Sequence, residues 1–135
     1  VEQTLPQTRV GGGDIASLRK ETERALSGTI EKLAATPCVI VGRRADQILK
    51  DKAFVFSVFV SMPLSERIAA VAKRDNLSRA EAEKLVRTVD KKRAEFYNFA
   101  GSGTWGAAEN YDLCLNLGKF TEDEAINLIV DTLGA

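Results

Sequence analysis

The segment "VDKKRAEFY", residues 89–97, places an acid and a cation three positions apart, Asp90 and Arg93, among further basic residues. Residues three or four apart are neighbours on a helix, so the two could form a solvated ion pair that stabilises the helix by about 0.3–0.5 kcal/mol. Taken alone, the spacing favours this structural interpretation, because most charge clusters on helices are solvated faces.

A second candidate site is "VGRRAD", residues 41–46. Gly42 would let a ligand approach the backbone, Arg43 could bind a phosphate through two hydrogen bonds, and Asp46 could accept hydrogen bonds from a base or a sugar. The competing interpretation is an ordinary helix start with an exposed ion pair. This pattern is therefore compatible with a nucleotide site or with a structural turn.

A basic cluster surrounds the first pair. The chain carries nineteen basic and nineteen acidic residues in total, so no overall field favours nucleic acid or an anionic membrane, and any anion site must be local. On a mobile helical hairpin, the clustered cations could close over phosphates. The cluster comprises Lys73, Arg74, Arg79, Lys84, Arg87, Lys91, Lys92 and Arg93.

Composition restricts the chemistry further. The 135 residues include no histidine, which excludes Ser-His-Asp and Cys-His catalysis, histidine metal sites and imidazole acid–base chemistry. Phosphoryl transfer is compatible with the remaining arginine, lysine and aspartate, because its catalysis rests on positioning and charge neutralisation. The two cysteines, Cys38 and Cys114, lie in apolar runs, which predicts buried free thiols rather than a disulfide or a zinc site.

The N-terminal residues carry no targeting or phosphate-binding signal. No apolar run approaches the ~20 residues of a membrane span, and no secretory signal is recognisable, so the chain is predicted to be cytoplasmic. The "GGG" of residues 11–13 is not a phosphate loop, because that loop follows a strand and opens a helix with Gly-Lys-Ser/Thr. Residues 1–13 are predicted to be a flexible lead-in, and residues 14–135 a single domain.

Alternating helices and strands are predicted to position these residues. Apolar residues recur at helical spacing from Asp14 to Leu33, and capping boxes begin two later helices at Ser78 and Thr121. Ser65 is predicted to cap a helix before them. Short apolar segments predict buried strands at residues 38–42, 55–60 and 111–116, with room for a short helix between the first two.

This alternation predicts an α/β fold with a parallel sheet and helices on both faces. Ligands bind beyond the carboxyl ends of such strands, where Gly42, Ser61 and Asn116 stand. All three strands look central, so a neighbouring strand is expected to be missing. Trp105 and Tyr111 could either frame the cleft or pack in the core. The helix after Ser78 is predicted to bury Leu85, Val86, Val89 and Phe96 and to leave Asp90 and Arg93 on other faces.

Five strings, taken in order, resemble the cytidylate-kinase-like family of small P-loop nucleoside monophosphate kinases: "CVIVGRRADQIL", "VFSVFV", "ERIAAVAKRD", "VDKKRAEFYNF" and "WGAAENYDLCLN". The resemblance covers the chain from about Leu18 to Leu133. It implies a three-layer kinase-like fold with a helical lid at about residues 74–99. It also implies a monophosphate site at Arg43, with Asp46 close by, next to Gly42. Arg74 and Asp75 would lie in the lid together with Asp90 and Arg93, where arginines meet the phosphates being transferred. Asp90 would orient Arg93 toward phosphate.

The resemblance further implies ATP and magnesium, with CMP or a similar nucleotide as acceptor. Members of the family begin with a strand and a glycine-rich phosphate loop, and these residues contain neither. The fold is therefore expected to be incomplete at its N-terminus, with the missing strand between those at 38–42 and 55–60. A further N-terminal segment, or another copy of the chain in a homo-oligomer, would complete the sheet.

Three functional interpretations follow. The first is phosphoryl transfer from ATP to CMP or a similar nucleotide in the complete protein. The second is a non-catalytic nucleotide-binding or protein-interaction module, which would bind CMP or a protein partner without turnover. The third is structural: an apolar groove left by the missing strand would drive self-association.

Overall fold

The computed structural model describes residues 12–52, 54–99 and 103–134, with side chains from residue 17 onward. The fold is mixed α/β, with a small parallel sheet and several helices, which agrees with the predicted class at this level of detail. It comprises two compact units, Val1–Ala53 and Phe54–Ala135. Residues 1–11 of the predicted lead-in lie outside the described residues.

The first unit contains a long helix, α1 (Gly12–Leu33), and a short helix, α2 (Ala45–Ile48). Its buried apolar residues are Ile30 of α1, together with Ala45 and Leu49 in and just after α2. Burial of these side chains removes apolar surface from water and holds the two helices together. The long N-terminal helix and the short helix that follows "VGRR" are therefore confirmed.

The strand predicted at residues 38–42 is wrong. This segment has no regular secondary structure, Val39 and Val41 are 92% and 89% exposed, and Cys38 is exposed as well. A strand needs a partner for its backbone N–H and C=O groups, and neither strand of the described residues pairs with this segment. The apolar, β-branched residues favour a β-strand, but a strand forms only where its backbone pairs with a neighbouring strand.

The second unit is built on two parallel strands, β1 (Val58–Ser61) and β2 (Leu113–Asn116). Both are shorter than the predicted strands at 55–60 and 111–116, but their existence is confirmed. Over the described residues, no helix is long and apolar enough to cross a membrane. The other elements of this unit are α3 (Leu64–Asp75), α4 (Arg79–Asn98), a 3₁₀ turn (Ala108–Asn110) and α5 (Glu122–Leu133).

A side-chain bridge sets the register of the two strands. The Asp112 carboxylate accepts hydrogen bonds from the backbone N–H of Ser57 at 2.8 Å and from the Ser57 hydroxyl at 3.0 Å. The N–H of Asp112 in turn donates to the Ser57 carbonyl at 2.9 Å. From this anchor the ladder runs to the pairing of Ser61 with Asn116, so the carboxyl ends of the two strands coincide.

Helices α3 and α4 form a hairpin whose core is Ile68, Ala82 and Val86. At the start of α4, the Ser78 hydroxyl accepts a hydrogen bond from the N–H of Glu81 at 3.2 Å, and the Glu81 carboxylate accepts one from the N–H of Ser78 at 2.8 Å. These reciprocal bonds satisfy backbone donors that the first helical turn leaves unpaired. The capping box at Ser78 is confirmed.

The other two predicted caps have different outcomes. Thr121 and Glu124 form the expected capping box at the start of α5, with bonds of 3.2 and 2.8 Å. Ser65 does not cap α3, because the helix already begins at Leu64 and its N-cap residue is Pro63. Proline suits a helix start, since it has no N–H to satisfy and its φ of −52° is close to the helical value.

The predicted inner face of α4 is only partly correct. Val86 is buried, but Leu85 and Phe96 are 39% and 38% exposed, and Ala82 is buried instead. The reason is that α3 contacts α4 along the line that joins Ala82 to Val86. The sequence of a helix contains several apolar residues, and the packing of the neighbouring helix determines which of them are buried.

An aromatic cluster connects α4 with the sheet. The Phe59 ring centroid lies 5.6 Å from that of Trp105 and 4.8 Å from that of Tyr111, and Tyr97 lies 6.2 Å from Tyr111. Gly106 has a φ of +80°, and a Cβ there would lie 3.3 Å from the Phe59 ring, so this turn favours glycine. Trp105 and Tyr111 thus both pack against Phe59, and their side chains are half-buried.

Cys114 is exposed, so the prediction that both cysteines are buried is wrong. Along β2, Leu115 is buried, whereas its neighbours Cys114 and Asn116 are exposed. Alternate side chains of a strand point to opposite faces. A run of apolar residues therefore shows that both faces of a strand could be buried. It does not show that other parts of the protein cover both faces.

Candidate functional site

Two polar residues meet at the carboxyl end of the parallel pair. Ser61 and Asn116 are register partners, as expected for the ends of adjacent parallel strands. The Ser61 hydroxyl donates to the Leu115 carbonyl at 3.4 Å, and the N–H of Leu117 donates to the Ser61 carbonyl at 2.8 Å. The edge at which open α/β sheets bind ligands is thus lined by polar groups.

The turn after β2 closes tightly against the start of α3. The Asn116 side-chain oxygen accepts a hydrogen bond from the N–H of Gly118 at 2.8 Å, and its carbonyl accepts one from Lys119 at 2.9 Å. A Cβ at Gly118 would lie 2.7 Å from the Cδ atom of Pro63. Glycine is required there because the turn and Pro63 approach so closely.

Arg67 connects this edge of the sheet with α4. Its Nε donates to the carbonyl of Met62, directly after β1, at 3.0 Å, and its Nη1 donates to the Asp90 carboxylate at 2.6 Å. The Arg67 and Asp90 side chains are 33% and 26% exposed. Charge-assisted bonds of this length are stronger than neutral ones, and two anchors give the guanidinium a defined orientation at the end of β1.

Arg93 has a different environment from the one predicted. It follows Val86 by seven residues and precedes Tyr97 by four, so it shares the helix face of these two buried residues. The side chain is nevertheless exposed, and no hydrogen bond or ion pair joins it to Asp90 or to any other residue that the structure describes. The structure therefore pairs Asp90 with Arg67 and not with Arg93.

Arg74 is already engaged at the end of α3. Its Nε and Nη2 donate to the two carboxylate oxygens of Asp75 at 2.8 and 2.9 Å. The Arg74 guanidinium, as a hydrogen-bond donor, lowers the pKa of the Asp75 carboxyl below its usual value, and the same contact raises the pKa of Arg74. A phosphate that binds Arg74 therefore has to compete with Asp75 in solvent.

The other predicted residues lie in the first unit, at the turn before α2. Gly42, Arg43 and Arg44 have φ values of 71°, 59° and 54°, all in the left-handed region. Arg43 is exposed, and Asp46 is half-buried in the first turn of α2. Arg44 is buried and forms an ion pair with Glu23 of α1.

The predicted site residues are divided between the two units. The first unit holds Gly42, Arg43 and Asp46 within a single turn. In the second unit, Asp90 and Arg93 lie on α4, where Asp90 binds Arg67, and Arg74 lies at the end of α3 in a separate ion pair.

Sequence reasoning missed Arg67 and the buried ion pair of Arg44 with Glu23. Arg67 stands between Glu66 and Ile68 in α3, and nothing in its local pattern indicates that its partner lies on α4. Arg44 is identical in type to its neighbour Arg43, yet the two have opposite exposures. The first could have been found only from the packing of α3 on α4, and the second only from the packing of α1 on α2.

Comparison with known proteins finds a family match over most of the chain. A sequence model of the Cytidylate kinase-like family matches residues 4–119. Uronate isomerase from Corynebacterium glutamicum is 29% identical over 94 residues, which make up 70% of this chain and 18% of that protein.

A solved structure of an uncharacterized protein from Eubacterium ventriosum is 29% identical, with a TM-score of 0.76 over 80% of this chain and 62% of that one. The chain therefore spans less than two thirds of the length of either relative. The family match includes every predicted site residue and extends over most of the sequence. The chain belongs to the cytidylate kinase-like family.

Proposed function

We propose that the complete protein containing this chain transfers the γ-phosphate of ATP to CMP or a similar nucleoside monophosphate. The observation that carries the proposal is the arrangement of Arg67, Asp90 and Arg93. Arg67 is held at the carboxyl end of β1 by the Asp90 carboxylate. Arg93 is exposed, although it lies on the side of α4 that carries buried residues. Family membership supplies the reaction class.

The acceptor would bind at the turn before α2. Arg43 is exposed and could form two hydrogen bonds with the phosphate of a monophosphate. Gly42 has open space around its Cα, since nothing lies within 4 Å of a Cβ built there, so a ligand could approach the backbone. Asp46 would accept hydrogen bonds from the base or the sugar. Each of these roles is proposed from the residue type and its exposure.

The complete protein would have the three-layer P-loop kinase fold. Parallel sheets are ordinarily covered on both faces, whereas Val60 in β1 is half-exposed and Cys114 in β2 is exposed. Further strands and helices, from a longer chain or from a second copy, would cover these surfaces. Residues 74–99 would then act as a lid, because they carry most of the basic cluster on an α3–α4 hairpin joined by a short connection.

The described cations fit a polyphosphate ligand such as ATP. Arg93 has an exposed guanidinium, and Arg67 is oriented by two hydrogen bonds, so both could contact phosphate oxygens. ATP supplies the phosphoryl group when bound, and magnesium is held mainly through its phosphates and water. Asp90 would keep Arg67 pointing at the phosphates, and Arg93 would stabilise negative charge that develops during transfer.

The proposal is tested by assaying the complete protein with MgATP and each of the common nucleoside monophosphates. We expect ADP formation that depends on the acceptor, with CMP or a close analogue giving the highest kcat/KM. The non-catalytic alternative predicts that calorimetry detects CMP binding while no acceptor gives ADP above the ATPase background. That result would contradict the transferase proposal and support a binding module.

A further inference from the structure

The turn that carries Arg43 has an unusual backbone conformation. Gly42, Arg43 and Arg44 are consecutive residues with φ values of 71°, 59° and 54°. Glycine enters the left-handed region freely, but residues with a Cβ do so rarely. Two successive arginines in this region persist only where the surrounding structure holds them there.

Arg44 provides the contacts that hold the turn. Its backbone carbonyl accepts hydrogen bonds from the N–H groups of Gln47 and Ile48, both at 3.0 Å, so its main chain is part of the start of α2. Its side chain, only 4% exposed, extends to α1 and forms an ion pair with Glu23. A buried guanidinium requires such a partner, because leaving a buried charge uncompensated is strongly destabilising.

Arg43 has the opposite environment. It is exposed, and no hydrogen bond or ion pair joins it to the residues that the structure describes. Since the two arginines are adjacent, the backbone conformation that the Arg44 contacts hold also sets the Cα–Cβ direction of Arg43. The buried pair and the exposed cation are therefore two consequences of one backbone turn.

We propose that Glu23 and Arg44 are positioning residues for Arg43. Their ion pair keeps the turn left-handed and presents the Arg43 guanidinium to the phosphate of the acceptor nucleotide. The inference rests on the proposed function, because it assigns the role of Arg43 at that same site. Neither Glu23 nor Arg44 is expected to touch the nucleotide.

The test uses the complete protein and compares Glu23→Gln with Glu31→Gln. Glu31 is also an acid of α1 that pairs with a cation, Lys52, but that pair is exposed, so it serves as a matched control. We expect Glu23→Gln to raise the Kd for CMP, measured by calorimetry without ATP, by about tenfold, as for other residues that orient a ligand-binding group. The KM for ATP should stay within about twofold in both variants, since neither acid lies in the proposed lid.

A second variant separates positioning from folding. In Glu23→Leu/Arg44→Met, an apolar pair replaces the buried ion pair, a change that is often neutral or stabilising. We expect its melting temperature to match that of the wild type and its CMP affinity to fall as in Glu23→Gln. Wild-type CMP affinity in this variant would overturn the inference, and so would its failure to fold, which would show that the pair serves the fold instead.

Arg43→Ala distinguishes failure of this inference from failure of the proposed function. If Arg43→Ala binds CMP as tightly as the wild type, the acceptor role of Arg43 is wrong, and the positioning role falls with it. If Arg43→Ala loses affinity but both Glu23 variants retain it, the acceptor site stands and only the positioning role is overturned. Parallel losses in all three variants are the expected result.

Discussion

The role of Asp90 depends on the residue that it binds. A carboxylate at this place on α4 has cations on both sides in the sequence, yet it binds Arg67 on another helix at 2.6 Å. Because Arg67 is also anchored on Met62, the pair holds a cation at the end of β1. The structure thus supports an orienting acid, although the oriented arginine is not the one predicted.

Replacing Asp90 with asparagine tests this orienting role. Asp90→Asn retains the size of the side chain but loses the charge that binds Arg67, so we expect kcat/KM to fall by about tenfold. The free energy of unfolding should fall by about 1 kcal/mol or less, because the pair is partly exposed. Glu83→Gln, which removes the exposed partner of Arg87, is the control. Equal activity in the two variants would contradict the role of Asp90.

Arg93 is the residue for which the largest catalytic effect is expected. Arg93→Ala removes an exposed guanidinium that no hydrogen bond or ion pair joins to the described residues, so phosphoryl transfer should slow by about 100-fold while the melting temperature stays nearly unchanged. Lys20→Ala changes an exposed cation outside the basic cluster and should have little effect on either quantity. An unchanged rate together with a marked loss of melting temperature would show that Arg93 is structural.

At the level of elements, the hairpin of α3 and α4 carries most of the charged candidates, and its stability depends on the start of α4. The N-terminal turn of that helix is held by the reciprocal bonds between Ser78 and Glu81. The side chains that follow, from Lys84 to Arg93, can only be positioned if this turn is formed. Capping is therefore a condition for the proposed lid.

Ser78→Ala should lower the free energy of unfolding by about 1 kcal/mol, the usual cost of losing an N-cap side chain. Ser65→Ala provides the control, because Ser65 is exposed and does not cap α3. Its stability should match that of the wild type. Denaturant unfolding followed by circular dichroism measures both changes, and equal losses would contradict the assigned caps.

The same turn makes a pH-dependent contribution to stability. The hydrogen bond from the Ser78 backbone lowers the pKa of Glu81 below its usual value. A carboxyl whose pKa is lower in the folded state stabilises the fold above its unfolded pKa, and this contribution is lost as the pH falls through the folded pKa.

Glu81→Gln should therefore melt at a lower temperature than the wild type at neutral pH. The difference should shrink once the pH is well below the usual range of a glutamate carboxyl. Thermal melts at a series of pH values measure it. A difference that is the same at all pH values would show that the charge of Glu81 does not contribute.

For the whole molecule, exposed apolar side chains suggest surfaces that other parts of a larger protein cover. Val39, Val41 and Phe54 are each about nine-tenths exposed, which is unusual for large apolar residues. Cys38 lies beside two of them and is also exposed. If another part of the complete protein packs on residues 38–42, this segment becomes protected.

The reactivity of Cys38 with a thiol reagent tests this expectation. In the chain described here, the thiol should react at nearly the rate of unfolded protein, whereas in the complete protein we expect it to react at least about tenfold more slowly because it is covered. Cys114→Ser in both proteins isolates the signal of Cys38. Equal rates in the two proteins would contradict the coverage of residues 38–42 in the complete protein.

Features that depend on neighbouring residues in the chain were predictable. The capping boxes at Ser78 and Thr121 require only side chains three residues apart, and the helices follow from a periodicity of similar range. The two strands were also predicted. A crossover connection makes them parallel and so aligns their carboxyl ends, where Ser61 and Asn116 meet. The sequence alone therefore predicts the polar edge of the sheet.

Features that depend on distant residues were not predictable. The pairing of Asp90 with Arg67 required α3 to pack on α4, and the burial of Arg44 beside an exposed Arg43 required Glu23 to approach from α1. The exposure of Cys38 and Cys114 depends in the same way on what covers each face. Ion pairing and burial are set by atoms brought together from far apart in the chain, and a local pattern of residue types carries no information about that distance.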